Sequence, residues 1–286
     1  MESPMLFRGF VGITLLSVIV TGGRNANAQG APVAQLSIEA GDFFFRAPRR
    51  VAAGWTTIRL RNLGSSFHHA VLLRLQPGES RAAALARVNA RKGDPDLPIP
   101  GTTSIGGPEG RMPSGDSYAT VDLAAGEYLI VCTIPTSDGS PHAAHGMFAS
   151  LTVRPATVRS GARQPPTPDV VIRMGDYAYS LSDNRLEAGW RTLRIENTGP
   201  AEHIAELAIL KSDKTLAGVL TWANSGFPRA TEPMTTIGGS TRLALGQSSY
   251  VHVRLTSGRY VIFCMLHDQA DRQHLKLGML KEIVVN

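Results

Sequence analysis

The chain has 286 residues, 43% hydrophobic and 18% charged, with 29 Lys and Arg against 23 Asp and Glu. That is an ordinary globular composition, which excludes a disordered chain and suits about two domains. The basic excess is spread out, with Arg49-Arg50 the tight pair, and no basic stripe interleaved with aromatics marks a nucleic-acid surface.

The first 28 residues have the form of a secretory signal peptide. Arg8 precedes an apolar run, residues 9–20, too short to span a bilayer comfortably, and Ala26-Asn27-Ala28 offers small residues before a cut at Gln29. An uncleaved N-terminal anchor is the alternative. Cleavage leaves 27 basic and 22 acidic residues, a formal +5, no spanning segment, and a periplasmic or extracellular destination.

Short strands follow, separated by turn residues. The first series covers residues 36–38, 42–45, 56–61, 70–75, 118–123, 128–132 and 149–153. The second covers 170–173, 191–196, 204–210, 250–255, 260–264 and 281–285. Many short strands with frequent turns predict β-sandwiches. Each series is interrupted by one helical insert, residues 79–91 and 214–224, followed by Gly93 and Gly226 as helix stops. Residues 154–168 hold four prolines and form a stiff linker. The expected organisation is a signal peptide (1–28), a first domain (29–154), a linker (155–168) and a second domain (169–286).

The two series are copies. Ala53-Gly54-Trp55 recurs as Ala188-Gly189-Trp190, and Thr102-Thr103 with Ile105-Gly106-Gly107 recurs as Thr235-Thr236 with Ile237-Gly238-Gly239. A period this long is domain duplication, not a solenoid. Within it, Cys132, His142 and Met147 share the spacing C-x9-H-x4-M with Cys264, His274 and Met279. Upstream, N-x-G-x-x-x-H occurs at Asn62-Gly64-His68 and Asn197-Gly199-His203. Two imidazoles, one thiolate and one thioether form a soft set that suits copper, and they are the ligands of a blue-copper electron-transfer site. The expected metal residues are therefore His68, Cys132, His142 and Met147, with His203, Cys264, His274 and Met279, for two copper ions per chain.

Four other histidines compete for these roles. His69 adjoins His68, but strand alternation turns it to the other face. His145 corresponds to Leu277, and His267 to Pro135, so neither repeats. His252 aligns with Thr120 and is expected at the surface. Two cysteines in an exported chain could also form one disulfide, but each has its own His and Met. Trp55/Trp190 and Tyr128/Tyr260 are expected to serve packing, and the inserts to pack over a sheet edge.

On these residues the chain resembles the cupredoxin family, once per repeat over nearly all of residues 34–286. The resemblance implies two tandem Greek-key β-sandwiches, an all-β fold with a short helical insert in each. In that family a first His follows an Asn-containing turn, a Cys ends a later strand, and a second His and a Met follow on the next loop. His68 and His203, Cys132 and Cys264, His142 and His274, and Met147 and Met279 match those roles. The loop of nine residues between Cys and His is longer than in plastocyanin or azurin and nearer the nitrite-reductase type.

Missing motifs weigh against catalysis. There is no His-x-His, and Val131 and Phe263 stand before the cysteines where a copper nitrite reductase places His. The expectation is a non-enzymatic, exported two-site electron carrier with a redox partner protein of acidic character. The alternatives are copper delivery, or an interaction module with empty sites.

Overall fold

In a computed structural model, described at residues 1, 35–91, 98–156, 164–183 and 185–286, the chain is mostly β-sheet. The signal peptide and Gly93 lie outside the described residues, as does the middle of the linker. The first repeat comprises β1 (Leu36–Gly41), β2 (Phe44–Arg46), β3 (Arg50–Ala52), β4 (Gly54–Asn62) and β5 (Val71–Leu75). Helix α1 (Arg81–Asn89) then precedes β6 (Thr102–Ser104), β7 (Asp116–Leu123), β8 (Gly126–Val131) and β9 (Phe148–Arg154). The second repeat comprises β10 (Val170–Gly175), β11 (Ala178–Leu181), β12 (Arg185–Leu186), β13 (Gly189–Asn197) and β14 (His203–Leu210). It continues with α2 (Leu216–Asn224), β15 (Met234–Leu243), β16 (Ser248–Leu255), β17 (Gly258–Phe263) and β18 (Leu280–Val285).

Alternation builds each sandwich. In β1, Leu36, Ile38 and Ala40 point inward and are fully buried, facing Tyr128, Ile130 and Cys132 across the first core. Ile172 and Met174 face Tyr260, Ile262 and Cys264 in the second. The opposite sides of β8 and β17 are apolar too, because the helices cover them. Ala84 and Val88 of α1 pack on Leu129 and Val131, and Val219 and Ala223 of α2 pack on Val261 and Phe263. A strand buried on both faces must be apolar throughout. Both helices are shorter than expected, starting where Ser80 and Thr215 cap the first turn by accepting from Ala83 N and Gly218 N. The first helix ends through Ala90 without a glycine.

The repeats are not two independent sandwiches. One sheet of eight strands, ordered β11-β10-β13-β16-β7-β4-β1-β2, runs through both, while each repeat keeps its own five-stranded sheet. The seam is β7 against β16, antiparallel, with Tyr118 opposite His252, Ala119 opposite Val251 and Thr120 opposite Tyr250. Under the 132-residue offset of this block, those pairs are two-fold mates about Ala119 and Val251. The same symmetry governs the neighbouring crossing: Thr241 N donates to Gly107 O and Glu109 N to Gly239 O, each at 3.0 Å. Trp55 stacks edge-on against Tyr250, and Trp190 against Tyr118. The tryptophans thus pack between repeats.

His252 is not a surface residue. Its ring lies in this seam, with Nε2 2.7 Å from Thr120 Oγ1 and Nδ1 3.1 Å from Thr192 Oγ1. Burial lowers its pKa to about 4.

Candidate metal centres

Each centre begins at the end of β4 or β13. Asn62 Nδ2 donates to Ser66 O and Arg111 O, while its Oδ1 accepts from Gly64 N. Asn197 makes the same three bonds, to Ala201 O, Leu243 O and from Gly199 N. These bonds fold the turn that delivers His68 and His203 into the core, where both are fully buried. The glycines are needed for close approach: a Cβ on Gly64 would lie 2.6 Å from His68 Nε2, and one on Gly199 2.5 Å from Asp176 Oδ1.

The other side of each centre is a loop closed on itself. Cys132 follows β8, and its N–H donates to Met147 O while its carbonyl accepts from Ala143 N. His142 N donates to Ile134 O and Met147 N to His142 O. Cys264, His274 and Met279 repeat this pattern with Leu275 and Leu266. A single 3-10 turn starts at each second His and ends at Gly146 or Gly278, whose φ of 105° and 109° favour glycine. Met147 and Met279 are fully buried in the cores that hold the cysteines.

The result is two matching buried groups, His68–Cys132–His142 and His203–Cys264–His274. The facing Nδ1 atoms are 3.2 Å apart in the first group and 3.1 Å in the second. Cys132 Sγ lies 3.5 Å from His142 Nδ1, and Cys264 Sγ 3.4 Å from His274 Nδ1. Nitrogens bonded at about 2.0 Å and sulfur at about 2.3 Å to one central ion, at near-tetrahedral angles, fall about 3.3–3.5 Å from each other. The donor set and its spacing fit a soft transition-metal ion. Copper is the cofactor this set supports, one ion per group.

Protonation matters for uptake. Burial pushes the Cys132 thiol up to about 12, so a metal must displace its proton. Burial, with the neighbouring His68, lowers His142 to about 4, which leaves its ring neutral and able to donate a lone pair. Burial also lowers His203.

Two supporting residues in each repeat escaped the sequence analysis. Asp42 Oδ1 lies 2.9 Å from His68 Nε2, and Asp176 Oδ1 2.8 Å from His203 Nε2. Each carboxylate fixes the ring so that Nδ1 faces the centre, the arrangement expected of an outer-shell partner. Phe43 packs edge-on against His142 and Tyr177 against His274, with ring centres 5.1 and 4.7 Å apart. The signal was present: Gly41-Asp42-Phe43 recurs as Gly175-Asp176-Tyr177.

The competing histidines sit elsewhere. His69 Nδ1 lies 3.2 Å from Glu109 Oε1, and its Nε2 accepts from Thr133 N at 3.0 Å. His145 Nε2 lies 2.7 Å from Ser140 Oγ. His267 bridges to Gln273. Both cysteines are free thiols, so no disulfide joins the repeats. Among the described residues, no helix is long and apolar enough to cross a membrane.

No family model and no curated protein matches the chain. Among solved structures it is similar to auracyanin A, a blue copper protein of Chloroflexus aurantiacus, at 22% identity over 41% of this chain and 98% of that one, with a TM-score of 0.28. It is also similar to a copper-containing nitrite reductase of Thermus scotoductus SA-01, at 11% identity over 88% of this chain and 61% of that one, with a TM-score of 0.25. A multicopper oxidase matches at 14% identity over 87% of this chain and 88% of that one, with a TM-score of 0.25. Because structures of this architecture include copper oxidoreductases, the expectation of a non-enzymatic chain does not stand. The missing His-x-His and His-Cys phrases argue only against particular copper clusters. The β-sandwich repeats and the two buried His–Cys–His groups fit two tandem cupredoxin-like domains.

Proposed function

We propose that this is an exported copper protein with two type 1 sites acting in one-electron transfer. The observation that carries the reading is the duplication of one buried His–Cys–His group with the same outer-shell carboxylate. His68, Cys132, His142 and Met147 would hold one copper ion, and His203, Cys264, His274 and Met279 the other. Each group is held by backbone bonds from both sides, so it changes little between Cu(I) and Cu(II), and a stiff site favours electron exchange. The bound copper supplies the one-electron couple. The chain supplies the ring orientation, through Asp42 and Asp176, and a dry core around the sulfur.

The mature chain begins at Gln29, with domains 29–154 and 169–286. Its partner is an acidic redox protein. Arg46, Arg49, Arg50 and Arg81 line a cleft of about 1110 Å³ with Phe148, which follows the proposed axial Met147 and is exposed. Such a charged surface steers an acidic partner towards the first site. The test is Cu(II) addition to the mature chain with copper counted per chain. Two ions and an intense thiolate-to-copper band that bleaches on reduction are expected. Copper uptake without that band would refute the carrier in favour of storage or delivery.

A further inference from the structure

The two metal groups are built from the same residues, and the carboxylates behind them, Asp42 and Asp176, match as well. The repeats differ in what stands beside each cysteine. Thr133 corresponds to Met265 and Glu109 to Thr241 under the 132-residue offset, and His69 to Ile204 under an offset of 135.

In the first repeat a polar chain leads away from Cys132. The next residue, Thr133, donates its N–H to His69 Nε2 at 3.0 Å. Nε2 is therefore the bare nitrogen, and Nδ1 carries the ring proton, 3.2 Å from Glu109 Oε1. Gly110 N donates to the same oxygen at 2.7 Å, and two donors on one oxygen suit a carboxylate. Glu109 is 2% exposed, and its own N–H donates to Gly239 O, which anchors it across the repeats. Burial and the charge of Glu109 raise Glu206 well above the carboxylate range, so at neutral pH this pair carries its charge on Glu109.

The second repeat has no such chain. Ile204, Met265 and Thr241 are uncharged, and the nearby Arg242 and Glu202 pair with each other at 3.4 Å. Glu109 is among the charges that act on the Cys132 sulfur, whereas those acting on His203 are Asp176 and Glu202. A buried anion stabilises Cu(II) over Cu(I), because the more highly charged ion gains more from it. Two hydrogen bonds, one imidazole ring and one peptide link join Glu109 to Cys132. At an effective dielectric of about 20, a unit charge still shifts an equilibrium about tenfold at a range of about 12 Å.

We propose, on the two-copper reading above, that Glu109, acting through His69, gives the first site the lower reduction potential, so that an electron delivered to the chain comes to rest on the second. One electron then passes from Cu(I) of the first site to Cu(II) of the second, leaving Cu(II) and Cu(I), and no proton moves. Spectroelectrochemical titration of the thiolate-to-copper band in the full chain tests it. Cys264→Ser leaves only the first site to read, and Cys132→Ser only the second. The first site should lie lower by about tenfold in its Cu(I)/Cu(II) ratio, or about 59 mV. Glu109→Gln keeps the shape and an acceptor for His69; it should raise the first potential enough to close most of that gap, and move the second by less than about threefold. Glu109→Asp keeps the charge and should stay nearer the parent chain than Glu109→Gln does. Equal potentials in the parent sites, a first site above the second, or an equal shift of both sites by Glu109→Gln would overturn this proposal alone. Copper uptake without any thiolate-to-copper band would overturn the copper reading and this proposal with it.

Discussion

Replacing Asp42 by Asn tests how far the outer carboxylate tunes its centre. Asp42 Oδ1 lies 2.9 Å from His68 Nε2, and the carboxylate also accepts from Ser65 N and Ser65 Oγ at 3.0 and 2.8 Å. The His68 hydrogen bond is the main reason the carboxyl sits at about 2, below its usual 3.8. At face value that difference is about 2.4 kcal/mol. The Asp42 side chain is 43% exposed and Ser65 shares the effect, so solvent screening leaves about 1 kcal/mol for the His68 contact. An anion on the far nitrogen makes the imidazole a stronger donor, which stabilises Cu(II) more than Cu(I). Asn keeps the shape and removes the charge, so the potential of the first site should rise, by at most about 45 mV if the whole contact favoured Cu(II), since about 59 mV is tenfold for one electron. Asp176 is more shielded, with 31% of its side chain exposed, so Asp176→Asn should shift the second site at least as far. Voltammetry in a Cys264→Ser background isolates the first site, and in Cys132→Ser the second. An unchanged or falling potential would refute the outer-shell argument.

Cys132→Ser should halve both bound copper and thiolate-to-copper absorbance, leaving the Cys264 site intact; total loss would show that the sites are interdependent. His142→Ala and His274→Ala should each abolish the band of their own site, whereas His145→Ala and His267→Ala should leave both bands in place. Met147→Leu and Met279→Leu should retain copper and raise the potential, because losing a weak thioether donor destabilises Cu(II) more than Cu(I); a fall would remove Met from the axial role. His252, held at about 4 against a usual 6.5, is protonated first in the unfolded chain. Its contribution is present above about 6.5 and is lost as pH falls towards 4, up to about 3 kcal/mol. Thermal melts from pH 7.5 to 4.5 should therefore fall less steeply for His252→Gln than for the parent chain.

The metal groups were legible because Cys, second His and Met are close in sequence, and because duplication showed each spacing twice. Asp42 and Asp176 were harder to find. They sit in the turn between two strands, far along the chain from the cysteines, and a lone acid in a turn is ordinary. His252 misled for another reason: alternation assigns a side of a strand but not what lies beside it, and β7 covers that edge. The phrase Ile237-Gly238-Gly239 looks like loop, yet β15 runs through it, pairing with β14 with register shifts. In the first repeat the matching phrase leaves the sheet after Ser104 and crosses to the second repeat instead. Nothing local distinguishes the two fates.

The seam has a consequence for each repeat taken alone. Its two strands are equivalent, run antiparallel and pair about a single central position, so the contact is isologous in form. A chain containing only the first repeat would carry both halves of that contact on one strand, with Tyr118 of one copy opposite Thr120 of another. It would also expose β7 as an unpaired edge, which is a template for another strand. Such a half-chain is expected to close into a homodimer through β7, rebuilding with two molecules the eight-stranded sheet that the full chain makes with one.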